Sequence, residues 1–120
     1  MKLVFTTSGD DLDAPLDSRF GRAPKYLLYD LEGGAFSVVD NRQNLDAAQG
    51  AGIQAAENVA RLGASALVTG HCGPKAFRVL NMAGITVYNT DAPTVKEALA
   101  LYRAGMLTAA DAADVEGHWA

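Results

Sequence analysis

The alternation of apolar and polar runs divides the chain into strand-like and helical segments. Residues 2–7 open with Leu3-Val4-Phe5 and close in Thr6-Thr7, which predicts a largely apolar first strand. Residues 25–31 and 35–39 are two further strand-like runs, and Glu32-Gly33-Gly34 between them predicts a β-hairpin. Between about 48 and 62, Ile53, Ala56, Val59 and Ala60 recur at helical spacing, and Gly63 suits the residue after a helix end. Ala66, Leu67 and Val68 predict a buried strand over 64–69. Residues 74–82 place Phe77 and Leu80 on one helical face and stop before Gly84. A short strand follows at 85–88. Thr94 and Glu97 then form a T-x-x-E capping pattern before a helix with Val95, Ala98, Leu99 and Tyr102 inward, closed by Gly105.

This order predicts an α/β fold with a mixed, mostly parallel five-stranded sheet. The hairpin supplies the antiparallel part, and alternating helices and strands in the second half supply right-handed parallel crossovers. Hairpin strands fall on one side of the first strand and later strands on the other. A chain that leaves a central strand in both directions opens a crevice beyond the carboxyl ends of the strands. Residues 8–24, interrupted by Gly9, Pro15, Gly21 and Pro24, form a connection of a length more often functional than idle. It lands at that crevice, opposite the turn 70–73. A single domain is expected over residues 1–107, with the alanine- and aspartate-rich stretch 108–120 as a tail.

Composition narrows the chemistry. With 120 residues, 49% of them hydrophobic, the chain can bury one core, and no apolar run approaches the ~20 residues of a membrane helix. A single cysteine allows no internal disulfide, and Met1-Lys2 leads straight into a strand without a signal peptide, so a cytoplasmic location is expected. The net charge of −4 argues against a broad nucleic-acid or membrane surface, so any anion site must be local. One Cys and two His cannot enclose zinc in a thiolate or Cys/His tetrahedron. A metal should therefore arrive with most of its ligands attached, or be shared between subunits. Strand tips reading Thr6-Thr7-Ser8 and Thr69-Gly70 lack the carboxylates of a magnesium-dependent nuclease, and no phosphate-loop or dinucleotide fingerprint occurs. An enzyme is not expected.

What remains is concentrated in two places. In Gly70-His71-Cys72-Gly73-Pro74-Lys75 a buried strand feeds a helix through two glycines, with Pro74 at its first position. The N–H groups of Gly73, Lys75 and Ala76 and the Lys75 ammonium would make a local anion seat. His71 and Cys72 have two readings each: metal ligands, with the helix start favouring the thiolate, or a loop-bonded histidine and a small buried thiol. In the long connection, Arg19 and Arg22 flank Phe20-Gly21. They are either two cations facing the same crevice, with Ser8 on its wall, or solvated charges around a core-filling phenylalanine.

Residues 2–8, Arg19-Phe20-Gly21-Arg22-Ala23, Asn41 and Asn44 before the helix 50–62, residues 69–77 and residues 84–88 occur in an order that resembles the dinitrogenase iron–molybdenum cofactor biosynthesis family over nearly all of 1–105. Gly70-His71-Cys72-Gly73-Pro74-Lys75 is most similar to its orange-protein branch. The resemblance implies a three-layer ribonuclease-H-like fold without nuclease activity. It also implies non-covalent binding, carriage or assembly of an anionic metal–sulfur cluster, of the molybdenum–copper sulfide type or an iron–molybdenum cofactor precursor. The partners would be such a cluster, or thiomolybdate and copper, and a protein that receives it, with neither nucleic acid nor membrane. The implied cluster-binding set is Ser8, Arg19, Phe20, Gly21, Arg22, Gly70, His71, Cys72, Gly73, Pro74, Lys75 and Ala76, with Cys72 and His71 as direct metal ligands. Two alternatives are a metal-independent protein–protein adaptor and a binder of small phosphates or nucleotides at the same helix start.

Overall fold

In a computed structural model, residues 1–41 and 51–110 are described. Their elements are β1 (Lys2–Thr7), β2 (Lys25–Asp30), β3 (Phe36–Asp40), α1 (Ala51–Arg61), β4 (Ala66–Thr69), α2 (Pro74–Met82), β5 (Thr86–Asn89) and α3 (Val95–Arg103). The expected helical turns at 48–50, Asn44, and the tail residues 111–120 lie outside the described residues. The sheet order is β3-β2-β1-β4-β5. β1 pairs antiparallel with β2 and β2 with β3, whereas β1, β4 and β5 pair in parallel. Four strands thus run one way and β2 alone opposes them, with the hairpin on one side of β1 as the sequence predicts.

Period-two alternation sorts the side chains onto two faces. Val4, Tyr26, Leu67 and Val87 pack with Ala55, Ala56 and Val59 of α1 and Ala76 and Leu80 of α2. Leu3, Phe5, Leu27, Tyr29, Ala66 and Val68 pack with Val95, Ala98 and Leu99 of α3 on the opposite face. The result is three layers with the sheet in the middle. Fully buried Leu, Val and Phe side chains each contribute roughly 1.5–3 kcal/mol relative to exposure.

The turns close as their residues require. Asp30 Oδ1 accepts from the N–H groups of Glu32 and Gly33 at the hairpin, and these bonds hold its carboxyl below the usual range. Gly34, Gly63, Gly84 and Gly105 take positive φ between 71° and 78°, where a Cβ would be strained. Beyond Leu107 the chain stays engaged for a few residues: Ala109 bridges Tyr88, and Ala110 N–H donates to Val87 O at 2.8 Å. No helix among the described residues is long and apolar enough to cross a membrane.

Candidate functional site

The long connection is fastened to the strand ends by buried side chains. Thr7 Oγ1 donates to Pro15 O at 2.8 Å. Thr6 Oγ1 lies 2.8 Å from both Asp17 O and Thr69 Oγ1. A carbonyl only accepts, so the Thr6 proton goes to Asp17 and the Thr69 hydroxyl supplies the proton between the two threonines. Tyr26 Oη donates to Phe20 O at 2.9 Å, with the two rings 5.7 Å apart. Asn41 Nδ2 donates to Ala23 O at 2.7 Å. Burial, reinforced by Asp17 and Cys72 nearby, pushes the Tyr26 phenol far above its ordinary value, so it stays a donor.

This fastening brings the two distant segments together. Arg19 and His71 form a parallel bridge, and Phe20 N–H donates to His71 O at 3.1 Å. A Cβ on Gly70 would fall 2.6 Å from Ser18 Cα and 2.7 Å from Ser18 O, so only glycine permits the approach. Asn89 Nδ2 holds the Gly70 carbonyl from the other side at 3.2 Å. Bridge partners point the same way and their chain neighbours point oppositely. Phe20 and Cys72 accordingly enter the core under α1 and α2, each 2% exposed, while Arg19 and His71 both face outward.

Helix α2 begins beside this bridge. Gly73 is extended and makes no side-chain cap, Pro74 follows it, and Phe77 N–H makes the first helical bond to Gly73 O at 2.9 Å. The first-turn N–H groups of Lys75 and Ala76 are left without intrahelical partners by helix geometry. Among the described residues no loop carbonyl takes them.

Of the residues predicted from sequence, Ser8, Arg19, His71 and Lys75 are exposed; Gly21, Arg22 and Pro74 are half-buried; Phe20, Gly70, Cys72, Gly73 and Ala76 are buried. Phe20 and Ala23, on either side of Arg22, share one core cluster with Ala76, so the segments bearing Arg22 and Lys75 pack on the same face. Cys72 Sγ points at Gly73 O, 3.7 Å away, within that cluster. Direct coordination by Cys72 would require the turn 70–73 to open, whereas His71 needs no such movement. Among the described residues no group of three His, Cys, Asp or Glu stands together as a metal cage.

Sequence reasoning missed the far wall. A cleft of ≈ 540 Å³ at the carboxyl ends of β4 and β5 is lined by Leu16, Ser18, Gly70, His71 and residues 89–93. Leu16 N–H donates to Pro93 O at 3.1 Å and ties two of its lining segments together. The signal available in the sequence was Asn89-Thr90-Asp91, a polar run that ends a parallel strand and continues beyond it.

Comparisons with known proteins agree with this geometry. The apo form of the orange protein from Desulfovibrio gigas superposes with a TM-score of 0.93 and 36% identity, over 95% of this chain and 96% of that one. A Thermotoga protein of the DUF35 family, solved by NMR, gives a TM-score of 0.79 and 30% identity over 90% and 91% of the two chains. An uncharacterized protein from Methanocaldococcus jannaschii is 28% identical over 95 residues, 77% of this chain and 80% of its own length. The family model described as dinitrogenase iron-molybdenum cofactor matches residues 1–105. With the match spanning the sheet, the fastened connection and the start of α2, the chain belongs to the dinitrogenase iron–molybdenum cofactor family.

Proposed function

We propose that this protein binds an anionic molybdenum-containing metal–sulfur cluster, or its thiomolybdate precursor, without a covalent bond and without performing catalysis. The observation that carries the reading is the Arg19–His71 bridge, which sets an exposed cation and an imidazole beside the open first turn of α2. A thiometallate brings its own sulfides and negative charge. The protein then needs to supply cations, N–H donors and a shaped wall, and these are the groups found here. Arg19, Arg22 and Lys75 would balance charge, His71 and the cleft would face the guest, and Gly21, Gly70 and Gly73 would let backbone approach it closely. Family membership and the likeness to the orange protein support a molybdenum-related guest. We favour the molybdenum–copper sulfide type, which the resemblance of Gly70-His71-Cys72-Gly73-Pro74-Lys75 to the orange-protein branch implies. The fold would then be a ribonuclease-H-like scaffold used for carriage, with a protein receiving the cluster.

The test is reconstitution. Protein mixed with tetrathiomolybdate and copper should develop a charge-transfer absorption that co-elutes with it on gel filtration, and a chromophore that elutes apart would end the proposal. Arg19→Ala and Lys75→Ala should weaken retention in a salt-sensitive way, while Cys72→Ala should leave it largely intact. The opposite ranking would identify direct coordination by the thiol.

A further inference from the structure

The buried polar side chains of the described residues are Thr6, Thr7, Asn41 and Thr69, and Tyr26 adds a buried hydroxyl. Four of these five donate to carbonyls of one segment, at Asp17, Pro15, Ala23 and Phe20, and Thr69 backs up Thr6. A sheet end packed with apolar residues would stabilise the fold as well or better, since a buried donor is costly unless bonded. So much buried polarity devoted to one stretch of backbone therefore fixes a conformation.

What that conformation presents follows from peptide geometry. The described peptides are trans, so each C=O points opposite to the next residue's N–H. The Asp17 carbonyl, held by Thr6, turns the Ser18 N–H away from the interior. The Phe20 carbonyl, held by Tyr26, does the same for Gly21. The corresponding N–H after Pro15 belongs to Leu16 and goes to Pro93 O, and the one after Ala23 does not exist because Pro24 follows. Neither the Ser18 nor the Gly21 amide has a partner among the described residues. Ser18 lines the cleft beside His71, and Gly21 lies between Arg19 and Arg22.

We propose that the Ser18 and Gly21 amides are anion-binding donors of the site, and that Thr6 and Tyr26 are positioning residues that hold them outward. The inference rests on the site being a seat for a thiometallate-type anion, and it names the second half of that seat. A tetrahedral oxo- or thio-anion offers several equivalent acceptors, so it can meet the loop amides and the start of α2 at once. Fixed N–H donors are not screened as mobile side-chain charges are, which gives binding a salt-resistant component. The high phenol pKa of Tyr26 keeps that anchor protonated throughout the neutral range.

The experiment uses the full chain labelled with ¹⁵N and tetrathiomolybdate as probe. The Ser18 and Gly21 amide protons should shift saturably during titration, and if both stay fixed while other amides move, they are not donors. Tyr26→Phe should weaken the Kd about five- to tenfold with an unchanged salt slope, measured where thermal unfolding shows the variant fully folded. A purely structural tyrosine would lower the Tm and leave the Kd of folded protein as it was, which overturns the positioning role. A second readout needs no ligand. The Gly21 amide should show an order parameter near the rigid value of about 0.85 that falls below about 0.6 in Tyr26→Phe while β1 is unaffected. If wild-type protein fails to bind thiomolybdate, the functional reading falls. The order parameter still decides the anchoring on its own, and an unchanged value refutes it.

Discussion

Helices α2 and α3 both start at the carboxyl end of the sheet, directly after a parallel strand, but their first turns are used in opposite ways. At α3, Thr94 accepts from Glu97 N–H at 3.1 Å. Val95 N–H goes to Ala14 O at 3.0 Å and Lys96 N–H to Leu12 O at 2.8 Å, so one amide is capped within the helix and the other two dock the long connection. At α2, Gly73 offers no side-chain cap, Pro74 has no N–H, and the amides of Lys75 and Ala76 face no loop carbonyl among the described residues. An equivalent position in the fold is thus a structural joint in one case and, on the function proposed above, an open anion seat in the other. The connection 8–24 explains both: its first half closes α3, and its second half crosses to the turn before α2.

Substitutions at the two ends should separate these roles. The largest effect is expected at the crossing point. Gly70→Ala forces a Cβ into Ser18 backbone, which cannot yield as a flexible side chain would, and should cost about 1–3 kcal/mol in a urea unfolding curve and reduce thiomolybdate binding with it. Next comes the capped helix. Thr94→Ala should cost about 1 kcal/mol of stability and leave binding by the folded protein unchanged. If binding weakens instead, α3 is not merely a joint. Lys75→Ala should do the reverse, leaving the Tm in place and weakening binding roughly two- to fivefold at low salt, an effect that fades as salt is added.

The smallest effect is one of pH. Burial raises the Tyr26 phenol above its ordinary 10.0, so the folded state holds a proton that the unfolded chain releases. The stability this contributes is present in full below pH 10 and is lost as pH rises beyond it. Tyr102 is also raised by desolvation and adds to the same slope, so the comparison is between wild type and Tyr26→Phe. The variant should lose stability less steeply in alkali, as read from unfolding midpoints at stepped pH.

Much of the fold was legible because local signals and burial agree. Pro74 after two glycines, the Thr94–Glu97 pair and the glycines at 63, 84 and 105 each mark a boundary through their own backbone chemistry. The site was legible in its parts and less so in its roles. Arg19-Phe20-Gly21-Arg22 and Gly70-His71-Cys72-Gly73 read as two clusters of useful groups, but which members face solvent depends on the register of a bridge formed across 52 residues of sequence, from Arg19 to His71. That register sends Phe20 and Cys72 into the core and Arg19 and His71 outward. Thr6 and Thr7 carried a hint that pattern reading overlooks. Successive strand residues point to opposite faces, so two consecutive buried threonines require acceptors on both. The acceptors are loop carbonyls, which no sequence pattern announces.

The most direct measurement is one titration of ¹⁵N-labelled protein with tetrathiomolybdate and copper, following the amides of residues 18–22 together with those of 70–73, Lys75 and Ala76. If one guest is enclosed by both segments, the two sets of signals move with a single saturation curve and a shared Kd. Signals from one segment alone, or two curves with different midpoints, would contradict a common site.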